Sequence, residues 1–158
     1  MKKTVSAVLS GIILLAISAS SFHNKDYLSV SSRIDQDTLR NYPDGKYSGQ
    51  SRHTYIDEPY WGSVSFTLKS GLFTGIEFII WDSVLQQRFD SSYAKYFKDN
   101  ELYIQQCRND GKGVITYPKK LLEVQDINKL DAVSGATWSY NIFKASVNEA
   151  LKNTKINK

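Results

Sequence analysis

Between Ser63 and Lys69 the chain alternates, with Val64, Phe66 and Leu68 apolar and Ser63, Ser65, Thr67 and Lys69 polar. A period of two predicts a strand with one buried face. Ser70-Gly71 offers a tight turn, and Ile76, Phe78 and Ile80 alternate on the return, so a β-hairpin is predicted. Upstream, Pro43-Asp44-Gly45 is turn chemistry. Lys46 to Arg52 is predicted to leave it as a strand, and the segment "YIDEPYWG" to follow as a loop.

The rhythm then changes. Tyr93, Tyr96 and Phe97 fall at i, i+3 and i+4 behind a possible N-cap at Asp90 or Ser91, which predicts a short helix. "ELYIQQC" fits helix or strand, "RNDGKG" reads as a turn, and Pro118 is placed to open a helix carrying Leu121 and Leu122. The clearest helix is the last. Starting near Ala136 or Thr137, it sets Ile142, Phe143, Val147, Ala150 and Leu151 on one face, with Ser139, Asn141, Lys144, Asn148 and Lys152 largely elsewhere. Strands precede helices, so the class is α+β: a small antiparallel sheet with a hairpin, packed by helices.

Length fits one domain, at 158 residues. The net charge of +4 comes without a dense basic run, which argues against nucleic acid as a partner. A single cysteine, Cys107, excludes an intrachain disulfide and a multi-cysteine metal site. His23 and His53 sit in no metal-binding motif, so no metal is expected. No acid–base pair or triad stands out, and no residue is assigned a catalytic role.

The N-terminus has the layout of a secretory signal: two lysines, an apolar run from Val5 to Ile17, then small residues. Residues 1–20 are expected to be a cleaved signal or an uncleaved anchor. Either places the working part outside the cytoplasm. Residues 21–42 read as a polar linker, 43–153 as the domain and 154–158 as a tail.

Chemistry concentrates at "DAVSGATW", the mouth of the last helix. Ser134 can act as N-cap, Asp131 complements the helix dipole, and Gly135 allows close approach to the backbone. Helix capping alone leaves Thr137 without a role. The first N–H groups of a helix lack internal acceptors and favour anions, so this segment can hold a phosphate or be joined to one.

Asp131-Ala132-Val133-Ser134-Gly135-Ala136-Thr137 resembles the flavinylation motif of the FMN-binding domain family, Asp-x-x-Ser/Thr-Gly-Ala-Thr. That family includes flavin-carrying subunits of sodium-pumping NADH:quinone reductase and of Rnf complexes. Asp44-Gly45-Lys46-Tyr47-Ser48-Gly49 is similar to the family's opening segment, and "WGSVSFTLKSGLFTGIEF" to its hairpin. The resemblance covers residues 43 to 152. It implies FMN esterified through its phosphate to Thr137 by a magnesium-dependent flavin transferase that uses FAD outside the cytoplasm. Asp131, Ser134, Gly135 and Ala136 would then form the recognition and phosphate-holding segment. It further implies an electron carrier, rather than a stand-alone catalyst, with redox partners in or beyond the membrane. Trp138, Trp61, Trp81 and Tyr60 are the candidates to stack on the flavin ring. The alternative is a module that binds FMN or another phosphate ligand without a covalent bond. Where many family members carry a Glu-Thr-Pro-Gly stretch after the hairpin, this chain has "WDSVLQQRFDSSYAKYF".

Overall fold

A computed structural model describes residues 39–152. The expected signal, most of the linker and the tail lie outside the described residues. Four strands form an antiparallel sheet in chain order: β1 (Gly45–Gln50), β2 (Tyr60–Lys69), β3 (Leu72–Asp82) and β4 (Gln87–Arg88). The predicted hairpin is β2–β3. Ser70 and Gly71 both have positive φ, 54° and 74°, as the tightest hairpin turns require. Its even-numbered β2 residues, Gly62 to Leu68, are buried and pair across the sheet with Ile80, Phe78, Ile76 and Phe73. A bulge at Thr67/Leu68 keeps both strands' apolar residues on that face.

Two differences from expectation matter for the site. The loop expected at "YIDEPYWG" ends early, because Tyr60, Trp61 and Gly62 already pair with Asp82, Trp81 and Ile80. The expected strand to Arg52 stops at Gln50, and Ser51–His53 form a 3-10 turn whose buried Ser51 hydroxyl accepts the Gly62 N–H. The short helix is present as a 3-10 segment, Ser91–Phe97, with Asp90 accepting the Ser92 N–H.

The largest difference is in the middle of the chain. Glu101–Val124 is one helix, α1, running through the predicted "RNDGKG" turn and past Pro118. A proline inside a helix costs about 3 kcal/mol, so packing must supply more than that. It does so through a buried stripe: Ile104, Cys107, Asp110, Gly113, Tyr117 and Leu121. Asn100 caps its start through the Tyr103 N–H. Gln125 ends it in a left-handed conformation and ties it to β3, accepting the Phe73 N–H and donating to the Phe73 carbonyl.

The final helix, α2, is Thr137–Lys152, with Ile142, Phe143, Val147, Ala150 and Leu151 buried as expected. Ser139 departs from its expected polar position and is fully buried. Both helices cover the same face of the sheet. α2 crosses β1 and β2 at Gly49 and Gly62, where an added Cβ would lie 2.4 Å from the Ala150 nitrogen and 2.5 Å from the Ile142 side chain.

Candidate functional site at the mouth of the last helix

The segment before α2 turns sharply. The Ala136 N–H donates to the Val133 carbonyl at 2.9 Å, with Ser134 and Gly135 at the turn's centre. Gly135 has φ +75°, and a Cβ there would sit 2.5 Å from the Asn109 amide. The backbone conformation is what requires glycine, since the Asn109 amide is the end of a side chain that can move aside.

Ala136 immediately precedes α2 and takes the cap position. Its carbonyl accepts the Tyr140 N–H at 3.1 Å, so the expected N-cap, Ser134, lies two residues too early and is exposed. Capping comes instead from α1. The Asp110 carboxylate, 2% exposed, accepts the Ser139 N–H at 3.0 Å and the Ser139 hydroxyl at 2.9 Å. Its other oxygen accepts from the Gln106 amide, which also donates to the Gly135 carbonyl. Two turns on, the Tyr117 hydroxyl donates to the Ala136 carbonyl and accepts the Val133 N–H, while Gly113 lets Ser139 approach α1. Gln106, Asp110, Gly113 and Tyr117 therefore hold the turn and the first residues of α2 from one face of α1.

Sequence reasoning missed these residues because it broke α1 into pieces: Gln106 in a segment that fits helix or strand, Asp110 and Gly113 in a turn, and Tyr117 just before a separate helix opened by Pro118. Their spacing of four, three and four was the available signal.

Thr137 is the first residue of α2, and its side chain is exposed. Its own N–H and that of Trp138 meet no acceptor among the described residues. Asp131 is exposed on the loop leading in. Trp138 is half-buried and meets Tyr60 edge-on, ring centres 5.3 Å apart, and Phe89 at 5.1 Å. Thr137, Trp138 and Tyr60 are thus brought together. Trp61 is not: it faces the other side of the sheet, tilted against Trp81 with the Arg52 guanidinium 4.1 Å from its ring centre.

Behind Tyr60 lies a buried polar group. Tyr93 donates its hydroxyl to Asp82, and its oxygen lies 3.2 Å from the Tyr60 hydroxyl. Asp82 also accepts the Val84 and Leu85 N–H groups at 2.7 and 3.0 Å. Burial works against the Asp82 charge. Hydrogen bonds from Tyr93, Leu85 and Val84 outweigh it and hold the pKa below the ordinary carboxylate value. Burial, then the bond to Asp82, push the Tyr93 phenol well above its usual value. Because the folded pKa of Asp82 is depressed, its contribution to stability is present above the unfolded value of 3.8 and is lost as pH falls through the folded one. Thermal melts from pH 6 to pH 2 should therefore show an acid-side fall in Tm that is smaller in Asp82→Asn.

Cys107 is buried on α1, and burial, then the Asp110 charge, raise its thiol pKa. It should react with a disulfide reagent only as fast as the chain opens, and at once in denaturant. Farther along α2, a cavity of about 530 Å³ is lined by Asn141, Lys144 and Asn148. The aromatic residues of that cavity, Tyr42, Tyr55 and Phe73, share it with Leu151 at the far end of the helix from Thr137.

The FMN-binding domain model matches residues 58–152, from the lead into β2 to the end of α2. This chain belongs to the FMN-binding domain family. FMN is accordingly its cofactor, and the chain is an FMN-binding flavoprotein. A crystal structure of the CPE2226 protein from Clostridium perfringens has the same fold, with a TM-score of 0.55, 22% identity, and coverage of 72% of this chain and 89% of that one. No curated relative matches the chain.

The residues present fit FMN. The helix mouth offers two N–H groups that lack acceptors among the described residues, beside an exposed hydroxyl, and Trp138 with Tyr60 offers an aromatic wall. The segment that replaces the family's Glu-Thr-Pro-Gly stretch supplies Phe89 and Tyr93 to that wall.

Proposed function

We propose that this flavoprotein carries its FMN as a phosphoester on Thr137 and moves electrons outside the cytoplasm between a membrane donor and an external acceptor. The observation that carries this reading is the exposed Thr137 hydroxyl at the first position of α2, next to two N–H groups that meet no acceptor among the described residues. An exposed position is needed, because a transferase must reach the hydroxyl. In the attachment step the Thr137 oxygen bonds to the FMN-side phosphorus of FAD. The anhydride bond to the other phosphorus breaks, AMP leaves, and the hydroxyl proton goes to solvent. The Thr137 and Trp138 N–H groups hold the phosphate oxygens, and Gly135 keeps a side chain out of their way. Trp138, backed by Tyr60 and Phe89, forms a wall for the ring.

FMN, once held, exchanges electrons singly or in pairs, which suits a carrier between unlike partners. A covalent bond suits an exported protein, since a dissociating cofactor would be lost by dilution. Export is supported by the apolar run Val5 to Ile17 behind two lysines, which lies outside the described residues.

The test is the mass of the denatured chain after production with a flavin transferase. A gain of one FMN less one water is expected. Flavin that leaves on denaturation would show reversible binding instead.

A further inference from the structure

The helix mouth already holds one anion. The Asp110 carboxylate is buried against the Ser139 N–H, in the first turn of α2, and all three of its hydrogen bonds come from uncharged donors. A helix N-terminus carries about half a positive charge, so one full negative charge more than neutralises it. Asp131, on the same loop and exposed, adds charge of the same sign. A phosphate taking the free N–H groups of Thr137 and Trp138 must sit within about one turn of Asp110.

The two forms of FMN differ in what they bring there. A free phosphate monoester carries about −1.5 to −2 charges at neutral pH. Once esterified to a hydroxyl it is a diester with a single negative charge. Both forms present oxygens to the same N–H groups, so the hydrogen bonds are alike. The difference is electrostatic, and Asp110 sets its sign.

We propose that Asp110 is a specificity-determining residue: it makes this helix mouth a seat for a monoanionic phosphodiester and turns away free FMN. The domain then acquires flavin by esterification and not by capture from solution. This rests on the reading that Thr137 is the attachment residue.

The test uses the full chain made without transferase. Three probes are titrated by flavin fluorescence at pH 8: FMN, its phosphate methyl ester, and riboflavin. One extra like charge near a buried carboxylate is worth about tenfold in affinity. The wild type should bind the methyl ester about tenfold more tightly than FMN. Asp110→Asn should tighten FMN and bring that ratio to about threefold or less. Ser139→Ala, which keeps the carboxylate, should leave the ratio as in the wild type.

Equal or tighter binding of FMN by the wild type overturns the proposal. So does an unchanged ratio in folded Asp110→Asn, or a wild type that binds the methyl ester no better than riboflavin. If Asp110→Asn does not fold, the wild-type ratio still decides. The mass test on Thr137 is independent. A flavinylated chain with a ratio near one sinks the role of Asp110 alone. A tenfold ratio on a chain that cannot be flavinylated sinks the attachment reading alone.

Discussion

Thr137→Ala is expected to come through production with transferase and FAD at the mass of its unmodified chain, while the wild type gains the flavin on every molecule. The loss should be complete, because among the described residues no other hydroxyl stands in the same place. Ser134 is exposed in the turn, two residues before the cap position. Ser139 is fully buried, with its hydroxyl held by Asp110 and the Ala136 carbonyl. Neither can replace a hydroxyl on the first residue of α2. The substitution should leave the fold alone. Thr137 is exposed, and surface changes of this kind lie within about 0.5 kcal/mol. Thr137→Ser keeps the nucleophilic oxygen and should be modified, more slowly. The pair is read by intact mass and by thermal melts of the apo chains. A flavin on Thr137→Ala at full yield would place the bond elsewhere. A melting temperature lowered by 10 °C would mean that Thr137 works in the fold, and its lost modification would prove nothing.

Where the sequence was legible, one physical period dominated. Val64, Phe66 and Leu68 repeat every two residues because one face of β2 is buried, and Ile142 to Leu151 repeat at helical spacing because one face of α2 is buried. The same period, carried two steps upstream, separates Tyr60 from Trp61. Tyr60 shares parity with Val64 and points toward Trp138, while Trp61 points away. α1 was illegible because its buried stripe contains Asp110 and Gly113, which a hydrophobic pattern scores as breaks. Those two residues are in the core for the site's sake: one caps α2, and the other lets it come close. The linear motif marked the segment at the mouth of α2 but not what holds it, since Gln106, Asp110 and Tyr117 lie far from it in the chain. Asp82 and Tyr93 were hidden for a related reason. A buried acid is stable only with its donors, and those donors are assembled by the turn after β3 and the 3-10 segment.

Gly49→Ala should be the most damaging single methyl group in the domain. A Cβ at Gly49 would lie 2.4 Å from both the Ala150 nitrogen and the Ser146 carbonyl oxygen, and 2.8 Å from the Ala150 Cα. These are backbone atoms of the second half of α2, so no rotamer change can make room. Either β1 or α2 must move outward. α2 is fastened to the core by Phe143, Val147 and Ala150, all buried to within 1% exposure, and movement opens gaps around them. Overpacking of this kind costs about 3 kcal/mol or more. For a domain of this size that lowers Tm by more than about 10 °C. Gly45→Ala, four residues earlier in the same strand, is the control, since nothing lies within 4 Å of its Cβ. It should change Tm by no more than about 2 °C. The same displacement would carry Thr137 and Trp138 away from Tyr60, because they open the helix that Gly49 supports. Flavinylation of Gly49→Ala should then fall even at temperatures where circular dichroism shows it folded. Equal melting temperatures for the two glycine variants would mean that β1 and α2 do not meet as closely as this packing requires.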